Sequence, residues 1–449
     1  MIRMNSLKRR AIARVFKPLN EQSLLLAIAA LAWIVPGPIL AQAQNRPAEM
    51  APAQVVPTLN EAFSAAWQRQ PEAQSLQARR EADAAQRDIA RSWMAEPPEL
   101  ELSTRTDRIN GNQGVREYEA AVAMPLWLPG ERQRTAALAD AQSRVTSTRL
   151  LAAQLRTAAA VREAYWTWQQ ALIEQGLAAE RLANARVFAA DVARRVRAGD
   201  LARADQHRAE GAAAAAESAM AESAAAVAVK AQELRALTGL PVANGVAAKN
   251  AAYDKALEAE AEPQLPDDIQ ALGVDHPLVA SVFAQAEAAR RAADLAAAQK
   301  RSNPELTVGV TSERGQFGES YEQSLMFGVR IPFGSNSRYQ AKVAAAKAEA
   351  LEAQSQLQLQ RDQVLSAVEA ARERVAAARA QREAAEKRRR LAADSRGFFE
   401  KSFRLGETDL PTRLQIELEA AEAERAAVRA RVELASAISG LRQAMGLLP

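Results

Sequence analysis

Arg197-Ala198-Gly199-Asp200-Leu201 and, 207 residues later, Arg404-Leu405-Gly406-Glu407-Thr408 carry one instruction written twice. In each, a long stretch of helix-forming residues runs into a glycine, which can take the left-handed conformation that ends a helix. An acidic residue follows, suited to the start of the next helix. Working outward, Thr238-Gly239-Leu240 reappears as Met445-Gly446-Leu447, and Met124-Pro125-Leu126 as Ile331-Pro332-Phe333, both at a spacing of 207. Gln70-Pro71 matches His276-Pro277, and Pro98-Glu99-Leu100 matches Pro304-Glu305-Leu306, at 206. The one residue gained lies between Pro304 and Pro332, where a loop tip would absorb it. Punctuation kept in register over half a chain means one architecture built twice.

Between these marks the period alternates between helix and strand. Thr58-Leu59-Asn60-Glu61 reads as a capping box opening a helix that extends to about Ala95, with a bend at Pro71. In Glu99 to Asp107, Leu100, Leu102, Thr104 and Thr106 fall on one face, and Glu99, Glu101, Ser103 and Arg105 on the other. A turn containing Asn110-Gly111 leads to Val115–Met124, with Tyr118, Ala120, Val122 and Met124 opposite Glu117 and Glu119. The second repeat offers Glu305 to Ser312, a loop from Glu313 to Glu319, and Tyr321 to Ile331. There Leu306, Val308, Val310, Tyr321, Leu325, Phe327, Val329 and Ile331 form the apolar set, and Glu322, Ser324, Gly328 and Arg330 the opposite face of the return strand. Strands of about ten residues are long enough to cross a bilayer when tilted.

No proline interrupts Gly130 to Leu240. Ala, Glu, Arg, Gln and Leu dominate, all strong helix formers. The predicted organisation is a first repeat over 44–240 and a second over 267–449, joined by a connector at 241–266. The first holds a hairpin at 99–124, a long helix at 130–198 and a helix at 201–238. The second, after a helix over about 267–301, holds a hairpin at 305–331, a long helix at 337–405 and a helix at 411–445 with Pro411 in its first turn. A helix of that greater length spans roughly 100 Å and calls for coiled-coil-like packing.

The N-terminus reads as an export signal. Arg3, Lys8, Arg9, Arg10, Arg14 and Lys17 precede a 12-residue apolar run, Leu24 to Val35, and an Ala41-Gln42-Ala43 cleavage site. Without residues 1–43, the 58 Lys/Arg and 54 Asp/Glu fall to 52 and 53, so the formal charge drops from +4 to −1. The basic pI is therefore no argument for nucleic acid. The chain has no cysteine, which excludes disulfides and acylation on an N-terminal cysteine.

Four strands cannot close a barrel, and open edges in lipid leave backbone groups unpaired, so membrane insertion would require several chains to share one barrel. Here the chain resembles the TolC family of outer-membrane channels over nearly the whole stretch from Thr58 to Leu447. The resemblance rests on the doubled order of helix, two strands, long helix, glycine turn and helix. It rests also on Thr58-Leu59-Asn60-Glu61-Ala62 with Gln70-Pro71, on Arg197-Ala198-Gly199-Asp200, and on Arg404-Leu405-Gly406-Glu407. It implies a mainly α fold with β: a long α-helical coiled-coil barrel, four transmembrane strands per chain, and a shared 12-stranded barrel in a homotrimer. It implies a passive exit duct in the outer membrane of a Gram-negative bacterium, with outer-membrane lipid around the barrel. Its partners would be a periplasmic adaptor and an inner-membrane pump of the proton-driven RND type. Met124-Pro125-Leu126-Trp127-Leu128-Pro129-Gly130-Glu131-Arg132 is most similar to the heavy-metal branch, of the cobalt–zinc–cadmium type.

The resemblance makes Gly199, Asp200, Asp205, Gly406, Glu407 and Asp409 the candidates for the periplasmic gate and adaptor-docking tips. Some relatives carry acids six and nine positions after the turn glycine. Here those positions hold Asp205 and Arg208, then Thr412 and Gln415, so only Asp205 matches. Barrel-lumen candidates are Glu99, Glu101, Glu117, Glu119, Glu322 and Arg330, a balance that favours cations, opposed by Arg105 and Arg330. Two histidines and no cysteine give no transition-metal cluster, and no cofactor is expected. No G-x-S-x-G, P-loop or H-E-x-x-H appears, so no catalytic residue is assigned. The competing reading is a periplasmic helical adaptor bridging the envelope, which explains the helices and export signal but not two matched hairpins.

Overall fold

A computed structural model describes residues 56–109, 111–243, 260–264, 275–333 and 337–449. All lie within one compact unit, Ala53–Pro449. The export signal at 1–43, most of the lead before Thr58, most of the connector, and the start of the helix expected from 267 lie outside the described residues.

The described elements run α1 (Leu59–Gln68), α2 (Pro71–Gln74), α3 (Leu76–Arg91), β1 (Glu99–Thr106), β2 (Arg116–Pro125), α4 (Glu131–Ala198), α5 (Arg203–Thr238), α6 (Pro277–Ala298), β3 (Glu305–Arg314), β4 (Glu322–Arg330), α7 (Ser337–Arg404) and α8 (Leu410–Ala444). The capping box at α1 is complete: Glu61 N–H donates to Thr58 Oγ1 at 3.2 Å, and Thr58 N–H to Glu61 Oε2 at 2.7 Å. The opening helix is broken into three pieces and ends at Arg91, short of Ala95. Pro71 has no N–H to give and so begins a new turn, and α2 ends after four residues.

Each long helix, α4 and α7, has 68 residues, or roughly 100 Å. Neither packs along its length against a single partner. α4 packs on α5 over one part and on α3 and α6 over another, and α7 packs likewise on α8 and α6, while α4 and α8 join the two hairpins. The largest apolar cluster gathers midway along α4, where Trp168, Leu172, Val161 and Tyr165 meet Phe63 of α1 and Val227 and Leu234 of α5. Alanine supplies much of the remaining burial, which lets helix axes approach closely.

The four strands form one antiparallel sheet in the order β1-β2-β3-β4. The outer edges of β1 and β4 have no strand partner among the described residues. β3 extends two residues beyond the expected Ser312, because Glu313 pairs with Glu322 of β4. Glu313 is therefore a strand residue and not the first of a loop.

One ionic network ties this framework together. Arg162 of α4, with its side chain 5% exposed, donates to Glu260 at 2.7 Å, Ser439 at 2.9 Å, Gln443 at 2.6 Å and the Leu447 carbonyl at 3.1 Å. Arg442 of α8 donates to the same Glu260 carboxylate at 2.9 Å. Burial pulls the pKa of Arg162 down from its ordinary value, and Glu260 opposes that pull. The connector is thus clamped between helices of both repeats. Glu260→Ala leaves a buried guanidinium unpaired and is expected to cost about 3 kcal/mol, read as a lowered urea midpoint. Glu262→Ala breaks the half-exposed pair with Arg379 and is expected to cost less than about 1 kcal/mol.

Candidate functional site

The sheet sorts its residues by size and polarity. Reading across β1 to β4, register aligns Leu100, Val122, Val308 and Phe327 in one row, and Leu102, Ala120, Val310 and Leu325 in the next. Met124, Leu306 and Val329 continue the same face toward the helices. The opposite face reads Glu99, Ala123, Thr307 and Gly328, then Glu101, Ala121, Gly309 and Met326. Beyond these come Ser103, Glu119, Thr311 and Ser324, then Arg105, Glu117, Glu313 and Glu322.

Exposure runs opposite to that of a sheet built for water. Leu100, Leu102, Leu325, Phe327 and Val329 are 63–73% exposed, whereas Ala121 and Ala123 on the polar face are buried at 2% and 4%. None of the described helices covers the large apolar face. All six lumen candidates from the sequence, Glu99, Glu101, Glu117, Glu119, Glu322 and Arg330, share the small and polar face. Two acids absent from that set, Glu305 and Glu313, join them. Glu305 pairs with Arg330 at 3.1 Å, and Glu117 lies 3.8 Å from Arg105. The polar face therefore holds seven carboxylates against two arginines. Among the described residues, no group of three or more His, Cys, Asp or Glu is placed to hold a metal ion, and no helix is long and apolar enough to cross a membrane.

The second feature is the pair of helix-hairpin tips. Gly199 and Gly406 both stand in the left-handed region, at φ 89° and 80°. The same closure follows each: Asp200 N–H donates to the Arg195 carbonyl, and Glu407 N–H to the Ser402 carbonyl, both at 3.0 Å. A Cβ at either glycine would meet nothing within 4 Å, so φ and not crowding requires glycine. The candidate tip acids are engaged mainly with their own helix ends. Asp205 accepts from Ala202 N–H at 3.3 Å and lies 3.5 Å from Arg208. Ser402 Oγ donates to Glu407 at 3.4 Å, and Thr412 N–H to Asp409 at 3.2 Å. Asp200 is exposed. Hydrogen bonds from Thr412 hold the Asp409 pKa below 3.8, with the Arg208 charge adding to the shift. The Asp409 cap is therefore charged at neutral pH, and its contribution is lost only as pH falls below 3.8 toward the folded value.

Sequence reasoning did not find what joins the tips. Phe403 of α7 packs with Val192, Ala209 and Leu410 from the other three tip helices. Arg195 and Arg413 lie over its ring at 5.1 and 5.4 Å, and Arg413 also lies 5.4 Å from the Phe188 ring. The available signal was an aromatic residue near each turn glycine in a chain with only 5% aromatics. Phe403→Ala is expected to remove about 3 kcal/mol locally, seen as faster amide exchange in residues flanking both turns while the mid-helix core stays protected.

No protein-family model matches the sequence, and no curated protein does. Solved structures match over most of the chain. One is CusC, from work on the conformational changes accompanying folding and transmembrane channel formation; it is 16% identical with a TM-score of 0.71, over 88% of this chain and 93% of that one. The outer membrane protein VceC of Vibrio cholerae is 17% identical with a TM-score of 0.66, over 86% and 96%. The MtrE outer membrane channel of Neisseria gonorrhoeae, in its open state, is 18% identical with a TM-score of 0.69, over 87% and 89%. At these identities the likeness is one of fold: mainly helical with a small antiparallel sheet, as in TolC-like channels.

Proposed function

We propose that this chain is the outer-membrane exit duct of a tripartite efflux system, a passive conduit and not an enzyme. The observation that carries this reading is the inverted sheet. Burying a Leu, Val or Phe side chain is worth about 1.5–3 kcal/mol, so leaving five of them in water forfeits on the order of 10 kcal/mol, comparable to the whole stability of a domain. Lipid against that face removes the deficit. The open edges of β1 and β4 then supply the closure rule, because in lipid each must pair with the opposite edge of another copy. Three copies make the 12 strands of a closed barrel, and the long helices extend from it as a periplasmic tube. The adaptor would dock at the hairpin tips, and an inner-membrane RND-type pump would supply the energy. A periplasmic adaptor has no use for such a sheet.

The cargo assignment is finer. Similarity of the Met124–Arg132 wording to the cobalt–zinc–cadmium branch and an acidic polar face both favour divalent metal cations. The mature protein is expected as a heat-modifiable trimer in detergent extracts of a Gram-negative outer membrane. Its deletion is expected to sensitise cells to divalent metals more than to dyes or antibiotics. A monomer free in aqueous buffer with no affinity for detergent would overturn the duct; intact metal tolerance would overturn the cargo alone.

Planar bilayers test the site residues. With wild-type trimers, reversal potentials should favour cations, and replacing Glu117, Glu313 and Glu322 together by Gln should shift them toward anions. Asp205, through Ala202 and Arg208, is assigned to holding the resting gate. Asp205→Asn should raise single-channel conductance and antibiotic leakage; if both stay at wild-type values, that assignment fails.

A further inference from the structure

We propose that the loop end of the outward sheet face carries a site for the phosphate of an outer-leaflet glycolipid of the lipid A type, centred on Arg314. This rests on the duct reading, which places the outward face in a bilayer and the loops on the side away from the long helices.

Arg116 and Arg314 are direct partners on β2 and β3, on the outward face. Two like charges in that relation repel. Asp107 in the β1–β2 loop neutralises one of them: it sits 3.1 Å from Arg116 Nη1 and is itself held by the N–H groups of Gln113 and Gly114 at 2.5 and 3.2 Å. Arg314 has no such counter-charge among the described residues. Its Nε donates to the Gly114 carbonyl at 3.1 Å, and its two terminal nitrogens have no hydrogen-bond partner among the described residues. Its guanidinium lies over the rings of Tyr321 at 5.1 Å and Phe317 at 5.7 Å, with the Tyr118 ring 6.0 Å from that of Tyr321. Arg108, exposed in the same loop as Asp107, is a further positive residue at this end of the sheet.

The frame is fixed. Phe317 N–H donates to the Gln113 carbonyl at 3.0 Å, and a Cβ on Gly114 would stand 2.3 Å from Phe317 N, so the two loops are zipped together beneath the arginine. What remains open is a planar fork of N–H donors, the geometry that matches phosphate.

Position and charge select the ligand. Arg314 lies four residues beyond Val310, about 13 Å along the strand and about 10 Å along the bilayer normal at the usual strand tilt. That places it above the last large apolar row, at headgroup height, with Tyr118 and Tyr321 as interfacial aromatics. At the same level the inward face carries Glu117, Glu313 and Glu322 against Arg105. An anion is therefore repelled from the bore and attracted to the outside, where lipid phosphates lie.

Native mass spectrometry of the detergent-solubilised trimer, offered lipid A, its dephosphorylated counterpart or inorganic phosphate, tests the site. Wild-type protein should retain lipid A about tenfold better than the dephosphorylated form. Arg314→Gln should abolish that preference, Arg108→Gln should reduce it, and Arg105→Gln on the inward face should leave it unchanged. Equal retention of the two lipids, undiminished preference in Arg314→Gln, or displacement of lipid A by equimolar inorganic phosphate would overturn the proposal. If Arg314→Gln yields no trimer, Arg314→Lys decides: it keeps the charge and loses the fork, so lowered preference supports the site and wild-type preference overturns it. A trimer that conducts yet ignores the phosphate sinks this site alone; protein that never inserts sinks the duct reading beneath it.

Discussion

The structure depends on a sheet that faces the wrong way for water. Leu100, Leu102, Leu325, Phe327 and Val329 stand exposed on one face, and alanine, glycine, threonine and carboxylates make up the other. On the duct reading that face lies against lipid, and the edges of β1 and β4, unpaired among the described residues, are tolerable there only if another copy pairs them. The remaining architecture follows from that constraint. Two hairpins per chain supply strands, and the helices leave from the helix-side end of the sheet. Glu131, buried at the start of α4, accepts from Leu128 N–H, Gln299 and Asn303 at 2.7–2.9 Å, binding the exit of one hairpin to the entry of the other.

Helices of 68 residues have too little breadth to form a globule, so their stability is local and sequential. Three joints divide the length: the strand junction at Glu131, the mid-helix core with the Arg162–Glu260 clamp, and the aromatic–arginine cluster at Phe403. Between the joints alanine packing and surface ion pairs suffice, of which Arg186–Glu217 across α4 and α5 is an example, worth under about 1 kcal/mol.

The repeat was legible because it is written in backbone-specific residues. Gly199, Gly239, Gly406 and Gly446 all take positive φ, and glycine is the residue that does so at least cost. The strand faces were legible because period-two alternation is a local signal. Boundaries set by distant partners were not. Glu313 looks like a loop residue until Glu322 pairs with it. Helix α5 starts at Arg203, not Leu201, because the two residues after Asp200 are used in the reversal. The Arg162 clamp joins residues 98 to 285 positions apart, and no window of sequence contains both ends. Asp205, Glu407 and Asp409 sit beside the turn glycines, but sequence proximity alone did not show that they are largely committed to their own helix termini.

Gly309 on the polar face has no room for a side chain: a Cβ there would stand 2.9 Å from the Ala121 methyl and 3.1 Å from the Ala120 carbonyl. Bulk is thereby removed from one side of the sheet while Val308, Val310, Val122 and Phe327 crowd the other. A ribbon thick on its outer skin and thin on its inner one curls toward the thin side, as a bimetal strip does. In the proposed duct, calibre would then be set by the small residues of the bore face itself, Ala121, Ala123 and Gly328, with Gly309 fixed at zero side-chain volume by its neighbours.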